Sequence, residues 1–271
     1  MEVNVLAFSD EELKRYSRHL VLQNVGVEGQ KKISQAKVLV VGAGGLGSPV
    51  SLYLAAAGVG EIGIIDDDNI DLSNLQRQII HTTAEVGTPK VQSAVKKLNA
   101  LNPHTQVKAY HCRLEASNAL EIVRNYDVVV DGSDNFGTKF LVNDVCVLAQ
   151  KPLCYGGILR FSGQVMSINP RVSACYACIF DSPPPPDSVP SCSSAGVLGA
   201  IAGTIGSIQA LEVLKIIIGV GEPLFDRILS IDALSMDFRK VKISKNPQCR
   251  VCGANGITEL KEYQQASCWE L

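Results

Sequence analysis

Short runs of β-branched residues alternate with stretches of helical pattern through the first half of the chain. The first thirty residues are predicted to be helical, with Ser9 as a cap and Glu12 three residues later in capping-box spacing. Further helices are predicted over 48–58, within 86–101 and over 116–125. The predicted strands are Lys37–Val41, Glu61–Ile65, Gln106–His111 and Tyr126–Val130. Such alternation is typical of a parallel sheet with helices on both faces.

The pattern changes from about residue 151. Two short strands, Leu153–Tyr155 and Gly163–Ile168, precede a loop rich in cysteine and proline at 175–196. A long apolar helix is predicted within 196–220, and it carries polar residues that favour a buried helix over a membrane span: Gln209, Glu212 and Lys215. The last predicted strands are Ile228–Ile231 and Phe238–Ile243. We therefore expect an α/β fold, with a Rossmann-like, mostly parallel sheet that continues as a mixed or antiparallel region.

Composition narrows the classes of function. The chain has 271 residues, a formal net charge of −2 and 46% hydrophobic residues, with a pI near 6.1. No basic field suggests binding to nucleic acid or to an anionic membrane. The N-terminus lacks the layout of a secretory signal. Nine cysteines without an export signal favour reduced thiols that bind metal or do chemistry, and hence a cytoplasmic protein.

A glycine-rich loop follows the first predicted strand. Gly42, Gly44 and Gly47 have the spacing G-x-G-x-x-G between a strand and a helix. Glycines let the backbone approach phosphates, and a helix N-terminus offers free N–H groups and positive dipole. Asp66 ends the next strand, where a carboxylate can accept hydrogen bonds from ribose. This arrangement predicts a nucleotide site but does not separate NAD from ATP, and a tight structural turn is the alternative.

Three charged residues favour ATP. Arg77 and Lys90 supply two cations for the β- and γ-phosphates, and Asp134, after a later strand, can hold magnesium. A dehydrogenase would need one neutralised pyrophosphate and an apolar slot for nicotinamide. Taken singly, each cation could be a solvated surface residue, and Asp134 could be a helix N-cap.

The chain resembles the MoeB/ThiF family, the prokaryotic relatives of ubiquitin-activating enzymes. The likeness runs from about Ser9 to Gly253 and is carried by VLVVGAGGLGS, AGVGEIGIIDDDNIDLSNLQRQIIH, VGTPK, DVVVDGSDN and two CxxC pairs. It implies a homodimer in which Arg18 reaches the partner subunit's nucleotide, and it places Asp134 at the magnesium–ATP end. The nucleotide-binding residues that it implies are Gly42, Gly44, Gly45, Gly47, Asp66, Asn74, Arg77 and Lys90.

Eight of the nine cysteines divide into three groups. Two CxxC pairs can each grip one edge of a metal ion, and the resemblance favours one shared structural zinc on Cys175, Cys178, Cys249 and Cys252. Because about seventy residues separate the pairs, spacing alone leaves two ordinary cysteine pairs as the alternative. Apolar surroundings predict buried packing roles for three others: Cys112, Cys146 and Cys154. Cys192 lies in a polar loop, where it is either an acyl or persulfide carrier or an unused thiol.

Together with the nucleotide site, the resemblance implies one expected function. The chain would adenylate the C-terminal glycine of a ubiquitin-like sulfur-carrier protein ending in Gly-Gly, for thiamine or molybdopterin biosynthesis. Magnesium–ATP would be the nucleotide. Sulfur would come from a partner such as a cysteine desulfurase or rhodanese, since no rhodanese-like segment follows Gly253. The alternatives are a sulfur relay or thioester-forming activator acting through Cys192, and an NAD-dependent oxidoreductase.

The expected domain organisation is a single adenylation domain over 1–256. N-terminal helices occupy 1–35, the nucleotide-binding half 36–150, and the carrier-binding and zinc half 151–256. A polar C-terminal tail covers 257–271, and we expect it to be poorly ordered.

Overall fold

The computed structural model describes residues 8–185 and 195–263, and an eight-stranded sheet forms its centre. The strands are β1 (Lys37–Val41), β2 (Glu61–Ile65), β3 (Gln106–Tyr110), β4 (Val128–Asp131), β5 (Leu153–Leu159), β6 (Ser162–Ile168), β7 (Arg227–Asp232) and β8 (Asp237–Lys242). They lie in the order β3-β2-β1-β4-β5-β6-β7-β8. The first five pair in parallel, and β6, β7 and β8 pair antiparallel. The expected parallel sheet with an antiparallel continuation is confirmed.

Helices cover both faces of this sheet. They are α1 (Asp10–Arg15), α2 (Ser17–Leu20), α3 (Gly26–Gln35), α4 (Gly47–Ala57), α5 (Lys90–Leu101), α6 (Ala116–Arg124), α7 (Phe136–Ala149) and α8 (Gly199–Ile218). The N-terminal segment is helical but divided into three helices. Gly26 opens α3 with φ of 56°, a left-handed value that interrupts a continuous helix. The predicted capping box is present, because the Ser9 side chain accepts from Glu12 N and the Glu12 carboxylate accepts from Ser9 N.

Helix α7 was not predicted from the sequence. Its residues from Gly137 to Val147 are all buried, so it lacks the alternation of apolar and polar positions that marks a surface helix. Strand β5 is also longer than predicted and forms a hairpin with β6. The fourth strand begins at Val128 instead of Tyr126. Tyr126 packs its ring under β2, where a Cβ at Gly63 would lie 2.1 Å from the phenol oxygen.

The core lies on both faces of the sheet, as β1 illustrates. Val38 and Val40 point to one face, where they pack with residues of α4, α5 and α8. Leu39 and Val41 point to the other, where they pack with residues of α6 and α7. A strand buried on both faces explains the uninterrupted apolar sequence of β1.

Among the described residues, α8 is the one helix whose length and composition would suit a membrane span. It packs against the sheet instead, and its polar residues have partners inside the protein. Gln209 is fully buried and donates to the Asp131 carbonyl oxygen at 2.9 Å. Glu212 is 3% exposed and accepts from Ser167 Oγ at 2.6 Å. The prediction of a buried core helix is therefore confirmed.

Two expectations need correction. Cys112 is exposed, whereas Cys146 and Cys154 are buried as predicted. The reason is position, because Cys112 follows the edge strand β3, whose residues are partly or fully exposed. The tail 257–271 was expected to be poorly ordered, yet its residues 257–263 pack on the core, while residues 264–271 lie outside the described residues. Apolar side chains within the polar segment explain this packing, namely Ile257, Leu260 and Tyr263.

Candidate functional site

The glycine loop lies at the carboxyl end of β1, between β2 and β4. The order of the strands changes direction at β1, because β2 and β3 lie on one side of it and β4 and β5 lie on the other. Open parallel sheets bind ligands in the crevice at such a switch point. Gly42 has φ of 95°, and a Cβ at Gly47 would lie 1.8 Å from the Gly42 carbonyl oxygen. Both positions therefore require glycine.

The loop presents unpaired backbone donors at the start of α4. Within residues 8–185 and 195–263, the N–H groups of Gly44, Gly45 and Leu46 have no hydrogen-bond acceptor. Gly44 and Gly45 are partly exposed. Unpaired N–H groups at a helix N-terminus form a binding site for phosphate.

Asp66 touches the glycine loop directly. Its Oδ2 accepts from Ala43 N at 2.8 Å, and its Oδ1 accepts from Asp68 N at 2.9 Å. Burial raises the pKa of this carboxyl, while nearby Lys90 and the two backbone N–H groups act in the opposite direction. Each carboxylate oxygen keeps a second lone pair that can accept a ribose hydroxyl.

Lys90 is the first residue of α5 and is only 5% exposed. Its Nζ lies 2.6 Å from Asp68 Oδ2, while the Asp68 side chain is 64% exposed. The interpretation of Lys90 as a solvated surface cation is therefore wrong. Because Asp68 faces solvent, a phosphate group can replace it as the partner of this ammonium.

Arg77 lies over the glycine loop. A Cβ at Gly45 would lie 3.6 Å from Arg77 Cγ, and Arg77 Nη1 donates to the Ser73 carbonyl oxygen at 3.1 Å. The side chain is half-buried, with guanidinium donors left for a ligand. Asn74 ends the 3₁₀ turn Leu72–Asn74 and accepts from Asp71 N at 3.2 Å.

Asp134 lies in the loop from β4 to α7, beside the glycine loop. A Cβ at Gly42 would lie 2.9 Å from the Gly132 carbonyl oxygen, so the two loops are in contact. Asp134 is exposed, and the N-cap of α7 is Asn135, whose side chain accepts from Thr138 N. The N-cap alternative for Asp134 is therefore wrong.

Arg18, another expected site residue, is exposed on the short helix α2. Cys192 lies outside the described residues, so its expected role has no structural test here.

Three features of the crevice were not predicted from the sequence. Gln78 is buried beside Gly44, and its Oε1 has no hydrogen-bond partner among the described residues. His81 Nε2 lies 3.0 Å from the Ala43 carbonyl oxygen. Lys139 forms a buried ion pair with Asp131 at 3.0 Å. Gln78 and His81 belong to the segment LQRQIIH, where polar residues between apolar ones were the available signal.

The four cysteines of the CxxC pairs form one cluster. The sulfur–sulfur distances are 3.6 Å for Cys175 and Cys249, 3.4 Å for Cys178 and Cys252, and 3.9 Å for Cys175 and Cys178. A tetrahedral zinc with Zn–S bonds of about 2.3 Å requires sulfurs about 3.8 Å apart. The donor set and the spacing therefore suit a closed metal site.

Backbone groups support thiolates in this cluster. Asn246 N donates to Cys178 Sγ, and Val251 N donates to Cys249 Sγ, both at 3.4 Å. The hydrogen bond between Cys175 and Cys252 is the main cause that lowers the pKa of Cys252 and raises the pKa of Cys175, and burial raises the pKa of Cys178. Sequence spacing could not show that the two pairs meet, and the structure brings them together.

Comparison with known proteins gives consistent matches. The model of the ThiF family matches residues 16–251. The chain is 50% identical over 265 residues to a sulfur carrier protein adenylyltransferase of Thermus thermophilus, covering 96% of this chain and 98% of that protein. It is 50% identical over 252 residues to the adenylyltransferase and sulfurtransferase MOCS3-1 of Zea mays, covering 93% of this chain but 54% of that protein.

A solved structure shares the fold. The crystal structure of E. coli MccB with ATP superposes with a TM-score of 0.78 at 25% identity, covering 88% of this chain and 73% of that chain.

Proposed function

Because the chain belongs to the ThiF family, we propose that it adenylates the C-terminal glycine of a ubiquitin-like sulfur-carrier protein. ATP is the co-substrate and pyrophosphate is released. The carrier ends in Gly-Gly and serves thiamine or molybdopterin biosynthesis. The relative from Thermus thermophilus is named for the same reaction and matches this chain along nearly its whole length.

One observation carries the proposal: two cationic side chains lie beside the unpaired backbone N–H groups of the glycine loop. Arg77 packs over Gly45, and Lys90 lies close enough to Asp66 for its charge to lower the pKa of that carboxyl. A triphosphate requires this concentration of positive charge, whereas a nicotinamide requires an apolar slot. The arrangement therefore favours ATP over NAD.

The chemistry is attack by a carboxylate oxygen on the α-phosphorus of ATP. A bond forms between that oxygen and phosphorus, and the bond to the bridging oxygen of pyrophosphate breaks. The glycyl carboxylate is already ionised at neutral pH, so no general base is needed. The barrier arises from bringing an anion to a polyanion. Catalysis is then positioning and charge neutralisation by Arg77, Lys90 and Arg18.

Magnesium would supply further neutralisation of the phosphates, and Asp134 is the residue proposed to hold it. Its exposed carboxylate lies in the loop that contacts the glycine loop. A hard oxygen ligand beside phosphates suits a cation that binds through few carboxylates.

The cysteine cluster is proposed to hold a structural zinc. Four thiolates leave no open coordination position for a substrate, so the metal would join the loop after β6 to the segment after β8. The ion would stabilise the proposed carrier-binding half, 151–256, without entering the reaction.

Arg18 is proposed to act across a homodimer. It is followed by Val21 and Leu22, which are 77% and 53% exposed, and exposed apolar neighbours are typical of an interface. Mixing inactive Arg18→Ala subunits with inactive Lys90→Ala subunits should restore part of the activity, because exchange creates dimers with one intact site. No recovery after demonstrated subunit exchange would contradict a shared site.

The acyl adenylate must then meet a sulfur nucleophile. We propose a partner of the cysteine desulfurase or rhodanese class as the sulfur donor, and a cytoplasmic reaction. Within the described residues no cysteine forms a disulfide, which suits a reducing compartment. Cys192 is a candidate carrier of the activated acyl group, which a conjugate labile to hydroxylamine would reveal.

The experiment that tests the proposed function is ATP–pyrophosphate exchange in the presence of magnesium. Exchange should require a carrier with an intact Gly-Gly terminus and should vanish when that terminus is amidated. Testing thiamine-type and molybdopterin-type carriers separately names the pathway. Lys90→Ala should abolish exchange, while Lys96→Ala, at an exposed position of the same helix, should retain it. Absence of exchange with every carrier, in folded protein, would overturn the proposal.

A further inference from the structure

The peptide groups on either side of Ala43, inside the glycine loop, are held by side chains. Ala43 N donates to Asp66 Oδ2 at 2.8 Å. The Ala43 carbonyl oxygen lies 3.0 Å from His81 Nε2. Ala43 is 2% exposed, so water cannot readily replace either partner. His81 reaches this carbonyl from the segment that precedes the 3₁₀ turn Thr83–Glu85.

The hydrogen bonds of His81 assign its tautomer. A carbonyl oxygen can only accept, so Nε2 must carry the proton that Ala43 accepts. His81 Nδ1 lies 2.9 Å from Ser93 Oγ and is then an acceptor of the Ser93 hydroxyl proton, for which the Glu85 carboxylate competes. His81 is 5% exposed, and burial is the main cause that lowers its pKa. The charges of Lys90 and Lys97 act in the same direction, while the bond to Ala43 and the charge of Glu85 act against it. The imidazole is therefore neutral at neutral pH.

The hydrogen bond from His81 to the Ala43 carbonyl oxygen fixes the direction of the Gly44 N–H group, which faces the crevice. The Ala43 C=O and the Gly44 N–H belong to one planar trans peptide and point in opposite directions. Gly44 N–H is one of the three loop donors without an acceptor in the described part of the chain. Because Gly44 lacks a side chain, this peptide can rotate easily unless its carbonyl oxygen is held.

We propose that His81, held in the Nε2–H tautomer by the Ala43 carbonyl oxygen and by Ser93, is a positioning residue that directs Gly44 N–H toward the nucleotide phosphates. The inference rests on the proposed function, since it assumes that a nucleotide occupies the glycine loop. Loss of the Nε2 donor leaves a buried carbonyl oxygen unpaired, and the peptide then turns to find another donor. The phosphates lose an aligned backbone N–H.

Two matched substitutions isolate the Nε2 donor. In His81→Gln the side-chain amide nitrogen can occupy the place of Nε2 and donate to Ala43. In His81→Asn the shorter side chain reaches the place of Nδ1 and can accept from Ser93, but it cannot reach Ala43. Both variants lose the imidazole ring, so they share most of the cost in packing.

The first readout is binding of a non-hydrolysable ATP analogue by calorimetry, which needs no carrier and no turnover. His81→Asn should weaken binding about tenfold, whereas His81→Gln should stay within about twofold of the parent protein. In pyrophosphate exchange the same ranking should appear in KM for ATP. Equal affinities for the two variants would overturn the inference. If the parent binds the analogue but catalyses no exchange, the proposed function fails while this comparison remains decisive.

A second readout observes the tautomer itself. The chain has four histidines, and the ¹⁵N signals of His81 are identified by their loss in His81→Gln. The signals should show a protonated Nε2 and an unprotonated Nδ1, and Ser93→Ala should produce a tautomer mixture with weaker analogue binding. A protonated Nδ1 in the parent protein would refute the assigned role. An unchanged tautomer in Ser93→Ala, or unchanged binding despite a mixture, would refute the part assigned to Ser93. This variant also tests the inference if His81→Asn fails to fold.

Discussion

Replacing Lys139 with methionine should destabilise the protein strongly. The ion pair that it forms with Asp131 is buried, with side-chain exposures of 7% and 1%. Lys139 Nζ also donates to the Gly156 carbonyl oxygen at 2.7 Å and lies 4.9 Å from the centre of the Tyr155 ring. The amine therefore connects the end of β4 to the middle of β5. In Lys139→Met, the Asp131 carboxylate keeps only its hydrogen bonds from Ser133.

The magnitude follows from burial. Removing one partner of a buried ion pair costs about 3–5 kcal/mol, because the remaining charge is neither paired nor hydrated. For a chain of this size that loss corresponds to a fall in Tm of roughly 10 °C. Adding Asp131→Asn to Lys139→Met should recover part of the loss, since no unpaired buried charge then remains.

Calorimetry of the parent, both single variants and the double variant measures the coupling. The matched control is Arg227→Met, which removes the exposed ion pair with Glu222 and should leave Tm unchanged within error. A fall in Tm for Lys139→Met that does not exceed the control would refute the reasoning. Additive effects of the two substitutions would refute it equally.

Three further predictions test other parts of the structure. Gly47→Ala should abolish ATP binding and folding of the loop, because its Cβ would overlap the Gly42 carbonyl oxygen. Gly203→Ala, which has open space around the new Cβ, should raise the free energy of unfolding by about 1 kcal/mol. Thermal denaturation and binding of the ATP analogue compare the two variants. Tyr263→Phe removes the hydroxyl that donates to Asp144 and should speed proteolytic cleavage after Gly256 without affecting exchange. Burial lowers the pKa of His81, so the contribution of His81 to stability is present above about pH 6.5 and is lost as the pH falls through the lowered pKa. On acidification, Tm should therefore fall less steeply in His81→Gln than in the parent protein.

The strands at the centre of the sheet were predictable from the sequence because their burial is uniform. Lys37–Val41 and Glu61–Ile65 have the predicted ends, since both are short β-branched runs between helical patterns. Helix α7 was not predictable by the same reasoning, because a helix buried all round has no polar face. Tertiary contact thus decided what local pattern could not.

Site residues were predictable from the sequence where their position at the end of a strand places them in the site. They were not predictable where contacts between distant residues place them there. Asp66 was expected beside the glycine loop because it ends the neighbouring strand, and its bond to Ala43 N confirms that position. The pairing of Lys90 with Asp68 joins residues 22 positions apart through a loop, which no spacing rule predicts. The role of His81 depends on Ser93 and Ala43, which only folding brings to the same imidazole.

Oxygen transfer tests the central claim most directly. A carrier whose terminal glycine carboxylate is labelled with ¹⁸O is incubated with the protein and magnesium–ATP, and the nucleotide products are analysed by mass spectrometry. Attack of the carboxylate on the α-phosphorus predicts that one labelled oxygen appears in AMP when the acyl adenylate is hydrolysed. Label in inorganic phosphate, or AMP without label, would contradict adenylation of the carrier.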